Sequence, residues 1–462
     1  MADVNVNVTF DGTTDVSRLP GQSSVQWYSA RLSYYSLYLS DADERLVADV
    51  SLTGSDWTAK IVRFTDAGAN NLVTLSDADS GAGRRIDYLE VGFNSVVTLD
   101  STRVRNILGY DGERHEITLG DNQDKTVYLV KLNARENILT TGNGFVQSID
   151  TGWFGEGEAL GDQIKIGSGG AGSIRTHDGA DRIETTGSYV ETIVTGDGDD
   201  RVTIGSGGAA FVKTGRGNDR VETGDRHVEA VTTGDGNDLV KLGTGGVGFV
   251  RLGDGNDRIV INTQDPSNGV ALQGGSGTDT VDFRGISSTG VRFSLDEAGA
   301  FQDIARGDSQ IGYISEVSME NLIGTRRADH LTGDGGGNRI SGGGGQDRLF
   351  GGAGRDFLIG GGGRDKLSGN AGRDKLDGRG GNDVLTGGGA ADTFIFGRNS
   401  GNDRIADFQD GRDLIQLKRQ DGDFASLTIA DDGDDLLIAH DHGTIRLDGM
   451  AGQTLTEDDF LF

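Results

Sequence analysis

The chain has no cysteine, 2 prolines, 3 methionines and 6% aromatic residues among 462. Without thiols, neither a disulfide framework nor a cysteine-ligated metal can hold it. The six histidines, at 115, 177, 227, 330, 440 and 442, form no His-Glu-x-x-His zinc helix, and no Gly-x-Ser-x-Gly elbow occurs. His440 and His442 flank one aspartate between two strand patterns and read as a hairpin turn. No run approaches the ~18 apolar residues of a membrane helix. Met1–Phe10 offers neither the basic segment nor the apolar core of a signal peptide. The expectation is that the protein stays inside or leaves by a route that does not read its N-terminus.

What is present is acid and glycine. Lysine and arginine total 43 against 72 acidic residues, a net charge of −29, and there are 79 glycines. A compact state at that charge repels itself, so folding calls for something that neutralises acid. No basic patch is legible, which argues against a nucleic-acid partner. Length alone allows about three domains.

Eight positions fall on a nine-residue grid: Asp329, Asn338, Asp347, Asp356, Asp365, Asp374, Asp383 and Asp392. Two residues after each stands an apolar side chain, from Leu331 to Phe394, and glycine dominates the residues before each. A fixed short period means a stacked repeat. Upstream, Asp181, Asp200, Asp219, Asp238 and Asp257 recur at a spacing of 19, and Asp162 extends the series backward. Each 19-residue unit holds two alternating apolar stretches, as at Val240/Leu242 and Val247/Phe249, which predicts two strands per coil. One edge of this coil carries the acid; the other does not.

The predicted fold is all-β, a parallel β-solenoid in two repeat arrays with β-rich caps. Residues 1–60 read as an N-terminal cap, 61–262 as a solenoid of 19-residue coils and 263–323 as a connecting segment containing one more nonapeptide at Asp279. Residues 324–396 read as a nonapeptide β-roll and 397–462 as a closing cap. Arg306-Gly-Asp-Ser309 is a string this composition produces by chance.

The repeat suits calcium. A hard cation takes about 6–8 oxygens, and glycine-rich turns let backbone carbonyls converge on one point. A two-turn coil in the strict array is 18 residues, so turns on one edge are 18 apart, as at Asp347 and Asp365. The candidate ligands are the eight grid residues, Asp279, the aspartates at 181, 200, 219, 238 and 257, and turn glycines Gly342, Gly344, Gly351, Gly360, Gly362, Gly369, Gly378 and Gly380. Geometry predicts about six ions in 324–396 and about four along 176–257. Asn338 removes one charge from its turn, and Ala390-Ala391 depart from the pattern.

The run 324–396 resembles the RTX (repeats-in-toxin) nonapeptide G-G-x-G-x-D-x-U-x, a known calcium-binding β-helix repeat. The last 66 residues resemble the C-terminal region of serralysin-like RTX proteins. The resemblance implies type I secretion by an uncleaved C-terminal signal, here Asp458, Asp459, Phe460, Leu461 and Phe462, and an extracellular or cell-surface location. It also implies a chain that stays unfolded at low intracellular calcium and folds on calcium outside.

Three readings of function stand. The first is a non-enzymatic structural, surface, matrix or adhesive protein, with self-association or contact to cell-surface polysaccharide. The second is a solenoid polysaccharide lyase or epimerase with an RTX tail, which no motif would announce. The third, an ice-binding module, suits the sequence least. The residue after the first turn glycine is Asp197, Arg216, Asp235 or Asp254, where ice binding would want threonine or asparagine.

Overall fold

Period-two alternation, short strands and glycine punctuation leave the chain one way to bury apolar surface. It coils, so that each inward residue sits under its counterpart on the next rung. The computed structural model describes residues 104–121, 126–152, 158–262, 270–296, 314–418 and 423–462, together with the strands between Ala2 and Asp100. The Arg306–Ser309 string lies outside the described residues. The chain divides into two units, Met1–Gly236 and Asn237–Phe462.

The first unit is a two-sheet parallel solenoid. One sheet stacks Glu136–Thr140, Gln163–Ile166, Arg182–Thr185, Arg201–Thr203 and their neighbours; the other stacks Val146–Gly152, Ala171–Arg175, Val190–Val194, Ala209–Lys213 and theirs. Register follows the 19-residue period, pairing Ile164, Ile183, Val202 and Val221 in one buried column. A second column runs through Ile174, Ile193, Val212 and Val231. In the segment expected to be a β-rich N-terminal cap, Ala2–Phe10 pairs in parallel with Glu44–Leu52, and that strand pairs with Asn71–Asp77. Among the described residues there, the Val25–Ala30/Tyr34–Leu39 pair is antiparallel.

In the second unit the strict array forms two apolar columns at an 18-residue register. Leu322, Ile340, Leu358, Leu376, Phe394 and Ile415 stack in one; Phe293, Leu331, Leu349, Leu367, Leu385 and Ile405 in the other. All twelve are buried. Beyond Phe396 the strands Gly401–Ile405 and Leu414–Leu417 add two more parallel rungs. The stack then closes with the antiparallel strands Thr428–Asp432, Asp435–His440 and Gly443–Leu447. His440 and His442 sit at that last hairpin, His440 opposite Gly443. Helix among the described residues is limited to two 3₁₀ turns, Phe424–Ser426 and Glu457–Asp459. Among the described residues no helix is long and apolar enough to cross a membrane.

Candidate metal centre

The grid aspartates are buried although they are ionisable. Asp347, Asp356, Asp365, Asp374, Asp383 and Asp392 are each at most 1% exposed. One oxygen explains part of this. The backbone N–H of each turn donates to the Oδ1 of the aspartate one coil on. Asp329 donates to Asp347 and Asp347 to Asp365, both at 2.8 Å, and Asp365 donates to Asp383 at the same distance. The opposite edge repeats the pattern from Asn338 to Asp356, Asp356 to Asp374 and Asp374 to Asp392 at 2.8–2.9 Å. Each carboxylate thereby ties two rungs together and fixes the 18-residue register.

The second oxygen has no such explanation. Oδ2 of all six of these aspartates is buried without a hydrogen-bond partner. Leaving a buried charged oxygen unbonded is expensive. Each points at the glycine five residues earlier. A Cβ on Gly342, Gly351, Gly360 or Gly369 would collide with the Oδ2 of Asp347, Asp356, Asp365 or Asp374, and would lie 2.7 Å from the carbonyl oxygen of Gly360, Gly369, Gly378 or Gly387 on the next coil. Carboxylate and carbonyl from successive coils therefore face one small space that only glycine leaves open. Among the described residues no three His, Asp or Glu side chains converge. A cation here would draw one carboxylate per turn and backbone carbonyls for the rest, a donor set of hard oxygens that fits calcium.

Metal-free, these groups resist ionisation. Burial pushes Asp347 up to about 8, with Asp329 and Asp365 adding repulsion, and Asp383 to about 7. Asp356 and Asp392 are raised by burial to about 6, and Asp365 and Asp374 are raised by the same cause. A bound cation reverses that penalty.

The structure separates the expected ligands into groups. Gly342, Gly351, Gly360, Gly369 and Gly378 border the carboxylate oxygens, whereas a Cβ on Gly344, Gly362 or Gly380 would meet nothing closer than 3.5 Å. At Asp329 the Thr325 amide already donates to Oδ2 at 2.6 Å, and Asn338 accepts from the Asp334 amide. Asp279, with Gly274 five residues before it, has the strict geometry, and Oδ2 of both Asp257 and Asp279 is buried and unbonded. The 19-residue aspartates make the same amide ladder: in the first unit Asp162 donates to Asp181, Asp181 to Asp200 and Asp200 to Asp219, and in the second Asp238 donates to Asp257. At Asp181, Asp200, Asp219 and Asp238, however, threonine stands five residues before the aspartate, and at Asp257 leucine does. Thr176 bonds the Oδ2 of Asp181, and Thr214 bonds Asp219.

Ladder members that the grid misses are Asp403 and Asp413, which accept from the Asp383 and Asp392 amides at 2.8 and 3.0 Å, and Glu320, which accepts from Asp279 at 2.6 Å. Each has an apolar residue two positions on (Ile405, Ile415, Leu322), a signal visible once the nine-residue spacing is relaxed. Asp407 closes the last turn by accepting from the amides of Gly387 and Gly388 at 2.8 and 2.7 Å. Of the residues expected to form the export signal, Asp459 is buried and caps its own 3₁₀ turn through Thr456, and Phe460 is buried and pairs with Ile415, while Asp458, Leu461 and Phe462 are exposed.

A family model described as RTX calcium-binding nonapeptide repeat (4 copies) matches residues 323–358 and 359–394. No curated protein matches the chain. Among solved structures, the chain is 31% identical to a subunit of the Azotobacter vinelandii mannuronan C5-epimerase, over 29% of this chain and 78% of that one, with a TM-score of 0.22. It is 20% identical to the extracellular lipase LipA of Serratia marcescens, over 53% of this chain and 40% of the lipase, with a TM-score of 0.19. By its repeats over 323–394, built on buried aspartates that ladder from coil to coil, the chain belongs to the RTX calcium-binding nonapeptide-repeat proteins.

Proposed function

We propose that this is an exported protein whose β-roll orders only when calcium binds outside the cell, and that the ordered solenoid serves a structural, surface-matrix or adhesive role. The observation that carries the reading is the set of six buried, unbonded Oδ2 atoms at one register. They make the metal-free fold unfavourable and give calcium a place in it. Binding energy then becomes folding energy. Asp347, Asp356, Asp365, Asp374, Asp383 and Asp392, with the carbonyls of the turn glycines, would hold the ions. Asp257 and Asp279 join them on the same ground. For Asp181, Asp200, Asp219 and Asp238 a second calcium row remains part of the proposal. It has less support at Asp181 and Asp219, where the threonine hydroxyl takes one ligand's place, and more at Asp200, whose Oδ2 is buried and unbonded like those of the grid. Export by the type I route through Asp458–Phe462 rests on the RTX resemblance.

The test is calcium titration of the stripped, full-length protein followed by far-ultraviolet circular dichroism. The expected result is a steep gain of β signal in the ~10⁻⁴–10⁻³ M range of extracellular calcium modules. An identical spectrum with and without calcium refutes the proposal.

A further inference from the structure

Between Arg326 and Arg379 acid and base alternate in sequence, so no basic patch is legible there. Folding sorts them. Every lysine and arginine of that stretch is exposed, and every aspartate is buried except Asp334, which is half-buried. The surface of the β-roll is therefore cationic on a chain whose net charge is −29. Arg339, Arg348, Lys366 and Lys375 have no ion-pair partner among the described residues.

One face gathers these charges into a groove. A cavity of about 640 Å³ is lined by Arg284, Arg326 and Arg339 with the polar groups of Thr280, Asn321 and Ser341. Arg284 is held in place by Asp282, Nε to Oδ1 at 3.1 Å. From Arg339 the strand register continues over Phe357 to Lys375, and the Arg339 guanidinium lies 4.5 Å from the Phe357 ring centroid. Rungs repeat every ~4.8 Å, so Arg339 and Lys375 present positive charge about two rungs apart, with an aromatic surface between them.

We infer that this groove and the Arg339–Phe357–Lys375 row bind an acidic polysaccharide, a polymer of uronic acids. Arginine forks match carboxylates, the hydroxyl and amide groups match sugar hydroxyls, and the phenyl ring offers a face to a pyranose. Cations two rungs apart suit a polymer with one carboxylate per sugar better than duplex DNA, which carries a charge every ~1.7 Å. The inference deepens the surface-matrix reading and rests on the calcium-ordered roll.

The experiment uses the full chain in saturating calcium and titrates it with short oligogalacturonates, which do not gel with calcium. Neutral dextran oligomers and duplex DNA serve as comparisons. The double variant Arg339→Gln/Lys375→Gln is set against Arg348→Gln/Lys366→Gln, which removes equal charge from the other column. Expected is uronate binding that the first variant weakens at least about tenfold and the second less than about threefold, with both variants keeping the wild-type calcium response in circular dichroism. No uronate binding, equal losses in the two variants, equal binding of dextran, or a preference for DNA overturns the inference. Loss of the calcium response in the wild-type protein instead refutes the folding reading, so the two failures are told apart.

Discussion

At Gly360 the absence of one atom decides whether a coil can close on its neighbour. Its Cβ would collide with the Asp365 Oδ2 and sit 2.7 Å from the Gly378 carbonyl, whereas a Cβ on Gly362 two residues later meets nothing within 4 Å. Both are turn glycines in the same nonapeptide, so intrinsic propensity does not separate them. Gly360→Ala is expected to raise the calcium midpoint of folding by about tenfold or more, ~1.4 kcal/mol; Gly362→Ala is expected to leave it nearly unchanged. Equal effects from the two variants would mean that backbone freedom, and not the space beside the carboxylate, is what glycine supplies. Ala390 shows the converse. It takes φ 78° at a place where Gly345, Gly354, Gly363, Gly372 and Gly381 take φ between 107° and 147°. A left-handed non-glycine residue costs about 1–2 kcal/mol. Ala390→Gly is therefore expected to stabilise the calcium-bound protein by about 1 kcal/mol, measured by denaturant unfolding.

A coil differs from its residues in how it responds to protons. The ladder carboxylates, in the metal-free fold, have pKa values raised by burial, to about 8 at Asp347 and Asp403 and about 7 at Asp383. In the unfolded chain they return to ~3.9. Because the folded values lie above the unfolded ones, the folded state binds more protons between those limits, and its stability falls as pH rises through that window. Calcium-stripped protein is thus expected to be most ordered near pH 4–5 and to lose β signal progressively toward pH 8. In saturating calcium the trend reverses, because protons then compete with the ion for the same oxygens. A stripped protein whose order is flat from pH 4 to 8 would show that the carboxylates are not buried without metal. The coil was also the scale at which the sequence was most readable. Nine-residue spacing placed the apolar columns from Leu331 to Phe394 on the correct face, and the 19-residue spacing located the upstream ladder. Legibility failed where spacing stretched, at Asp403 and Asp413, whose turns are closed by longer connections. It failed again where one motif hides two environments, since only the fold shows that Thr176 takes an oxygen of Asp181 that glycine would have left open.

For the molecule as a whole, a net charge of −29 offers two explanations of why calcium should matter, and they predict different ion dependence. If the obstacle to folding were diffuse repulsion, any salt would serve, because a Debye length of ~10 Å at 0.1 M screens exposed charges regardless of the cation. If the obstacle is the row of buried carboxylate oxygens without partners, the remedy must enter the turns and be coordinated there. Magnesium is smaller, holds its waters and demands near-octahedral geometry; turns built from flexible carbonyls and one carboxylate each do not provide it. The geometry at Asp347 through Asp392 favours coordination, because the exposed charge of the β-roll is already positive and needs no screening. Calcium is therefore expected to order the stripped protein cooperatively, since an ion held between two coils would favour the binding of the next. Magnesium at the same concentration, and sodium chloride at matched ionic strength, are expected to leave the β signal close to that of the stripped chain. Equal recovery in sodium chloride would assign the calcium effect to screening and leave the unbonded oxygens with no part in folding.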